Sequence, residues 1–190
     1  MQHSLTDEIL ALKRDRKAII LAHHYQDSEI QEIADAIGDS LELSLKARQF
    51  DGDVIAFCGV KFMAETAKVL NPSRTVILPD LEAGCSLVDA CPAEQVRAYK
   101  ARHPEQKVVS YINTSVEVKA ESDILCTSRN AVKVVNSIAA EQPILFLPDV
   151  NLGNYVQKQS GRTNMTIWQG ACIVHATFAE RKLMAAQAAH

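Results

Sequence analysis

The feature that most constrains this chain is a polar constellation that occurs twice, 88 residues apart. His23-His24-Tyr25 closes the apolar run Ala18-Ile19-Ile20-Leu21-Ala22, and Ser40 follows in Gly38-Asp39-Ser40. Tyr111-Ile112-Asn113 closes a second run, Lys107-Val108-Val109-Ser110, and Ser128 follows in Cys126-Thr127-Ser128. The same offset relates Tyr25 to Asn113 and Asp35 to Asp123, and each copy ends near a cysteine, Cys85 or Cys172. Two copies of one half-site point to a ligand gripped between repeats.

Short β-rich runs alternate with amphipathic stretches, the pattern of parallel strands joined by crossover helices. Strands are expected at Ala18 to Ala22, Val54 to Cys58, Thr75 to Leu78, Lys107 to Tyr111, Ile144 to Leu147 and Met165 to Trp168, three in each repeat. Between the first two, Ser28-x-x-Gln31 reads as a capping box, and Ile30, Ile33, Ala34 and Ile37 keep helical spacing until Gly38. Further helices are expected from Ser40, over Phe62 to Leu70 and over Leu152 to Gln159, with linking helices at Ala93 to Arg102 and Phe178 to Ala188. The expected fold is α/β, as repeated three-layer αβα units with short parallel sheets. Residues 1–103 form the first unit and residues 104–190 the second.

Ligands of open parallel sheets bind outside the carboxyl ends of the strands, where His23, Tyr25, Tyr111, Asn113, Cys85 and Cys172 all fall. A histidine and a phenol two residues apart on an extended segment share one side and make an acid/base or anion-orienting pair. A lone pair of this kind more often packs and caps a turn; its recurrence as Tyr111 and Asn113 favours a site. Ser40 and Ser128 read as helix N-caps, and the N–H groups of a helix start also receive carboxylate or phosphate. Cys85 and Cys172 stand in loops with small neighbours, whereas Cys58 and Cys126 lie in or near strands and read as buried, inert thiols. Cys91-Pro92 reads as the lead-in to a helix, so Cys91 ranks below Cys85 and Cys172 as a ligand.

A net charge of -3 without a basic cluster excludes nucleic acid or an anionic membrane as the main partner. The charged first twenty residues lack the apolar core of a signal peptide, and five scattered cysteines fit neither a zinc ribbon nor a disulfide scaffold. A cytoplasmic protein is expected.

With these residues in place, the chain resembles the quinolinate synthase family. The resemblance runs through Ala22-His23-His24-Tyr25-Gln26, Gly38-Asp39-Ser40, Gly59-Val60-Lys61-Phe62-Met63-Ala64-Glu65 and Pro79-Asp80-Leu81-Glu82-Ala83-Gly84-Cys85. It continues through Tyr111-Ile112-Asn113-Thr114, Cys126-Thr127-Ser128 and Gly170-Ala171-Cys172-Ile173-Val174-His175. It implies a pseudo-threefold of α/β units, each giving one cysteine to a [4Fe-4S] cluster, with the third unit absent from this sequence. Cys85 and Cys172 are then cluster ligands. His23, Ser40, Tyr111, Ile112, Asn113 and Ser128 hold substrate, Ile112 through its backbone alone, and Tyr25 moves protons. The implied reaction condenses iminoaspartate with dihydroxyacetone phosphate to quinolinate for NAD biosynthesis, with an iminoaspartate-producing enzyme as a candidate partner. The chain alone is expected to be inactive. The alternatives are a non-catalytic α/β module that binds a dicarboxylate or phosphate, and a folded remnant with structural cysteines.

Overall fold

The computed structural model describes residues 4–177 and 180–189. Packing divides the chain into two compact units, Met1–Gly84 and Cys85–His190. The first runs α1 (Leu5–Asp15), β1 (Ala18–His23), α2 (Ser28–Ile33), β2 (Ala36–Gly38), α3 (Ser40–Gln49), β3 (Val54–Cys58), α4 (Lys61–Leu70) and β4 (Thr75–Ile77). All four strands are parallel, in the order β2-β1-β3-β4. The central strands carry Ile19 to Ala22, Ile55 and Phe57, all buried, as a parallel sheet covered by helices requires.

The second unit opens with α5 (Ser86–Asp89) and α6 (Ala93–Arg102). It continues with β5 (Lys107–Tyr111), α7 (Val116–Ala120), β6 (Ile124–Cys126), α8 (Ala131–Asn136), β7 (Ile144–Leu147), α9 (Val150–Ser160) and β8 (Met165–Ile167). Two further helices, α10 (Ile173–Ala176) and α11 (Glu180–Ala189), follow. The strands repeat the order of the first unit, β6-β5-β7-β8, again all parallel. Successive residues of β5 and β7 divide between two cores, as the period of two in a strand demands. Val109, Ile144 and Phe146 pack with Val135 of α8 and Val156 of α9; Val108, Leu145 and Leu147 pack with Val96 of α6 and Val118 of α7. The α/β fold and its helix-covered parallel sheets are those expected from sequence.

The repeat extends to single hydrogen bonds. Asp35 accepts the Ile20 N–H at 2.8 Å, and Asp123 accepts the Val108 N–H at 2.7 Å. Each aspartate also donates its own N–H to the carbonyl of that same residue, at 2.8 and 2.9 Å. The shared period of Asp35 and Asp123 thus marks a clip between each central strand and the chain entering its edge strand. Arg74 and Arg162, also 88 residues apart, form a second matched pair. Arg74 donates to the carbonyls of Ala47 and Phe50 at the end of α3, and Arg162 to those of Ile138, Ala139 and Gln142 beyond α8. A cation at a helix C-terminus satisfies carbonyls that the helix leaves open. Replacing Asp123 by Ala should cost about 1–3 kcal/mol, the range for a hydrogen bond to a charged group plus an orphaned N–H, read as a lowered urea midpoint. An unchanged midpoint would remove the clip from the account of stability.

Several sequence expectations need correction. There are four strands in each sheet rather than three, because Ala36–Gly38 and Ile124–Cys126 are short edge strands. Their three-residue length leaves no alternation to read, and the helical spacing through Ile37 is coincidental beyond Ile33. Ser28 does not cap α2. Asp27 holds the N-cap position, with no side-chain cap, and the Gln31 amide turns back to the loop after β1. The helix over Ala93–Arg102, grouped by sequence with the first repeat, buries Val96 in a core of the second unit. Lys100 and Arg97 bind Glu121 at 3.0 and 3.4 Å and so pin α6 to the turn after α7. The Lys100 hydrogen bond is the main reason that the Glu121 carboxyl sits below its usual range. By position, α6 is to the second sheet what α1 is to the first. The expected helix over Phe178 to Ala188 begins outside the described residues and is seen as α11. No helix among the described residues is long and apolar enough to cross a membrane.

Candidate functional site at the carboxyl ends of the strands

In the first unit, β1 ends on His23, which pairs in register with Gly38 at the end of β2. This pairing sets His23 beside Gly38-Asp39-Ser40. After His23 the chain turns at once: the Gln26 N–H donates to the His23 carbonyl at 3.0 Å, and the Tyr25 N–H to His23 Nδ1 at 3.3 Å. The His23 and Tyr25 rings meet edge to face with centroids 4.7 Å apart. Sequence reasoning paired these residues correctly but for the wrong reason, since a tight turn rather than extended backbone brings them together. Tyr25 remains 82% exposed, so its phenol faces solvent.

Burial is the main cause that holds the His23 pKa below its ordinary value of 6.5; His24 lowers it further, and Asp39 opposes both. The neutral ring is therefore favoured, and with Nδ1 accepting from Tyr25 the proton resides on Nε2, ready to be donated to a ligand oxygen. The linkage has a definite sign. A histidine depressed in the folded state contributes nothing adverse above pH 6.5, and stability falls as pH drops through its folded value. An NMR titration of the His23 ring should have its midpoint below 6.5, and a midpoint at or above that value would contradict the burial argument.

Ser40 is buried in the first turn of α3, but it is not the cap. Asp39 takes that place and accepts the Glu42 N–H at 2.9 Å. Sequence reasoning missed Asp39 because it stands next to a serine of equal capping aptitude. Its closeness to His23 gives it electrostatic weight at the site.

In the second unit, Tyr111 pairs with Cys126, which sets Tyr111 beside Cys126-Thr127-Ser128 as His23 is set beside Gly38-Asp39-Ser40. Ser128 is exposed and is not an N-cap either, since α8 starts three residues later at Ala131 after Asn130. The Asn130 side chain holds the loop by accepting the Thr127 N–H at 2.7 Å. Tyr111 packs partly against the core, and Asn113 is half-buried. The Ile112 side chain is buried, its N–H donates to Cys126 at 2.9 Å, and its carbonyl accepts from Thr114 at 2.8 Å. Tyr111 and Asn113 are thus fixed on either side of a buried anchor.

Cys85 and Cys172 lie on loops and are only partly buried. Their segments meet within the second unit: the Ile173 N–H donates to Ser86 Oγ at 3.2 Å, and the Trp168 indole N–H donates to the Ala90 carbonyl at 2.8 Å. A side chain at Gly170 would strike the Pro148 carbonyl at 2.4 Å and press on Ala90, so glycine is what lets this loop close. The other thiols are core groups. Burial pushes Cys91 and Cys126 up to about 12 and raises Cys58. Cys91 packs with Val96 and Val108, a core setting that disfavours it as a ligand. Two half-exposed thiols on adjoining segments suit a soft metal centre as part of a donor set. Among the described residues no third His, Cys, Asp or Glu completes the set.

Two α/β repeat units, each with polar residues at the carboxyl ends of its strands, define a class of protein built on open parallel sheets, whose ligands generally bind at that edge. The family described as Quinolinate synthetase A protein matches residues 7–190, and the chain belongs to it. The chain is 58% identical over 182 residues to a quinolinate synthase of Nostoc sp. (strain PCC 7120), covering 96% of this chain and 56% of that protein. It is also 58% identical over 191 residues to the quinolinate synthase of Microcystis aeruginosa, covering 98% of the chain and 60% of that protein. With that of Synechococcus sp. the identity is 59% over 182 residues, covering 96% and 57%. The chain spans less than two thirds of the length of each.

Proposed function

We propose that the chain supplies two units of a cytoplasmic quinolinate synthase that condenses iminoaspartate with dihydroxyacetone phosphate to give quinolinate for NAD biosynthesis. The observation that carries this reading is the matched placement of His23 with Tyr25 and of Tyr111 with Asn113 at equivalent strand ends, in a chain of that family. His23 donates from Nε2 to a substrate carboxylate or carbonyl oxygen, Ser40 and Ser128 offer hydroxyls, and Asn113 offers an amide. Tyr25 exchanges a proton with the reacting group. Cys85 and Cys172 give two thiolates to a [4Fe-4S] cluster, whose third protein ligand comes from a further repeat of the family. When bound, a cluster with one iron free of protein ligands supplies a Lewis acid that favours dehydration.

Two experiments test the reading. A form with all three repeats, reconstituted anaerobically with iron and sulfide, should absorb broadly at about 400 nm and turn over both substrates. The 190 residues alone should give no turnover. Colourless protein from the three-repeat form, still binding a dicarboxylate, would replace the enzyme reading with that of a binding module. Turnover by the 190-residue chain would overturn the need for a third thiolate.

A further inference from the structure

Gln31 and Lys119 stand 88 residues apart, in the short helices α2 and α7 that follow the two central strands. Gln31 Nε2 donates to the Gln26 carbonyl at 2.7 Å and to the His24 carbonyl at 3.2 Å. Lys119 Nζ donates to the carbonyl of Thr114. Thr114 is the counterpart of Gln26 at the same period, so two chemically different side chains reach back to one equivalent loop carbonyl. An amide and an ammonium share little except the ability to donate a hydrogen bond. Each gives up rotamer freedom to do so, a cost that a solvated side chain on a short helix would otherwise avoid.

The carbonyls they satisfy lie where the chain has left the sheet and not yet entered a helix, so neither a strand ladder nor a helix supplies their hydrogen bonds. In the first unit this stretch directly follows His23 and carries Tyr25. In the second it directly follows Tyr111 and carries Asn113, with Thr114 itself buried. We propose that Gln31 and Lys119 are positioning residues that each clamp the ligand-binding loop of their repeat, and this rests on the substrate-binding reading above. What the two side chains share at these positions is a hydrogen-bond donor aimed at the same loop carbonyl.

The test uses the 190-residue chain and exchanges the two solutions between repeats. Gln31→Met and Lys119→Met keep length and helix propensity but cannot donate; Gln31→Lys and Lys119→Gln restore a donor of the other repeat's type. Amide exchange read by NMR should be roughly tenfold faster at Tyr25 and Gln26 in Gln31→Met, and at Thr114 in Lys119→Met, the factor lost with about one hydrogen bond. The two swaps should return those amides close to their original rates. Succinate, a stable four-carbon dicarboxylate, should bind roughly three- to tenfold more weakly to each Met variant and near normally to each swap. Loop exchange unchanged in the Met variants, or changed equally in the swaps, overturns the clamp. If His23→Ala weakens succinate binding and Gln31→Met does not, the clamp has no part in positioning. If neither substitution changes it, or the unsubstituted chain does not bind succinate, the substrate-binding reading fails while the exchange result still decides the clamp.

Discussion

Cys85→Ala, placed in a form of the enzyme with all three repeats, should leave iron at background after anaerobic reconstitution, whereas Cys58→Ala and Cys126→Ala should keep it. The structure separates these thiols by environment. Cys126 is 3% exposed, packed with Ala131 and Val135, and pushed up to about 12 by burial, so it is a poor source of thiolate. Its truncation should cost about 1–2 kcal/mol of packing and little else. Cys58 is raised by burial as well. Cys85 stands half-exposed at the start of α5, and the next residue, Ser86, holds the segment of Cys172 through the 3.2 Å bond from Ile173. In the proposed three-thiolate site, removing one thiolate would leave only two protein anchors, and the loss should be close to complete. Normal iron in Cys85→Ala would overturn the assignment. Ser86→Ala offers a finer check, because it keeps both thiols and the Trp168–Ala90 bond and removes only the bond from Ile173; reconstitution should slow without being abolished.

Much of the fold that carries the candidate site is legible in the sequence, and the reason is the repeat. A period shared by His23 and Tyr111, Tyr25 and Asn113, Ser40 and Ser128 pairs chemistry with topology, and the two sheets place His23 and Tyr111 at matching register positions, opposite Gly38 and Cys126. The long central strands announce themselves as apolar runs. The edge strands Ala36–Gly38 and Ile124–Cys126 do not, since three residues flanked by helical spacing carry no pattern of their own. Propensity alone points to the serines as caps, and local competition decides otherwise: Asp39 and Asn130 hold the N-cap positions. Arg74 and Arg162 were open to discovery by the same offset, but arginines on loops are common, and only their shared carbonyl targets distinguish them. The meeting of the Cys85 and Cys172 segments through Ser86 carries no sequence signal, because it depends on how α5 and the loop after β8 fold together.

Tyr25→Phe should keep the cluster and substrate affinity yet lose most of its kcat, roughly 100-fold to 10,000-fold, the range for a positioned general acid or base. His23 and Tyr25 share one turn, but their surroundings suit them to different tasks in the proposed reaction. His23 is partly buried, its Nδ1 is occupied by the Tyr25 N–H, and burial holds it neutral near pH 7, which leaves a single fixed donor at Nε2. That is the description of a group that orients. Tyr25 has its backbone fixed by the same bond while its phenol is 82% exposed, with the His23 ring against one edge as a guide. Its oxygen is free to both give and receive a proton, and a ligand entering at the strand ends would exclude the water that now surrounds it. His23→Ala should therefore raise KM, since it removes the donor and the ring that steadies Tyr25, and should lower kcat as well. Removing the Tyr25 hydroxyl should instead leave KM within a few fold and act on kcat. Measured kcat and KM for both variants in the three-repeat enzyme separate the roles. Near-normal kcat with a raised KM in Tyr25→Phe would mean that the phenol binds substrate and transition state equally, and proton transfer would have to pass to another group.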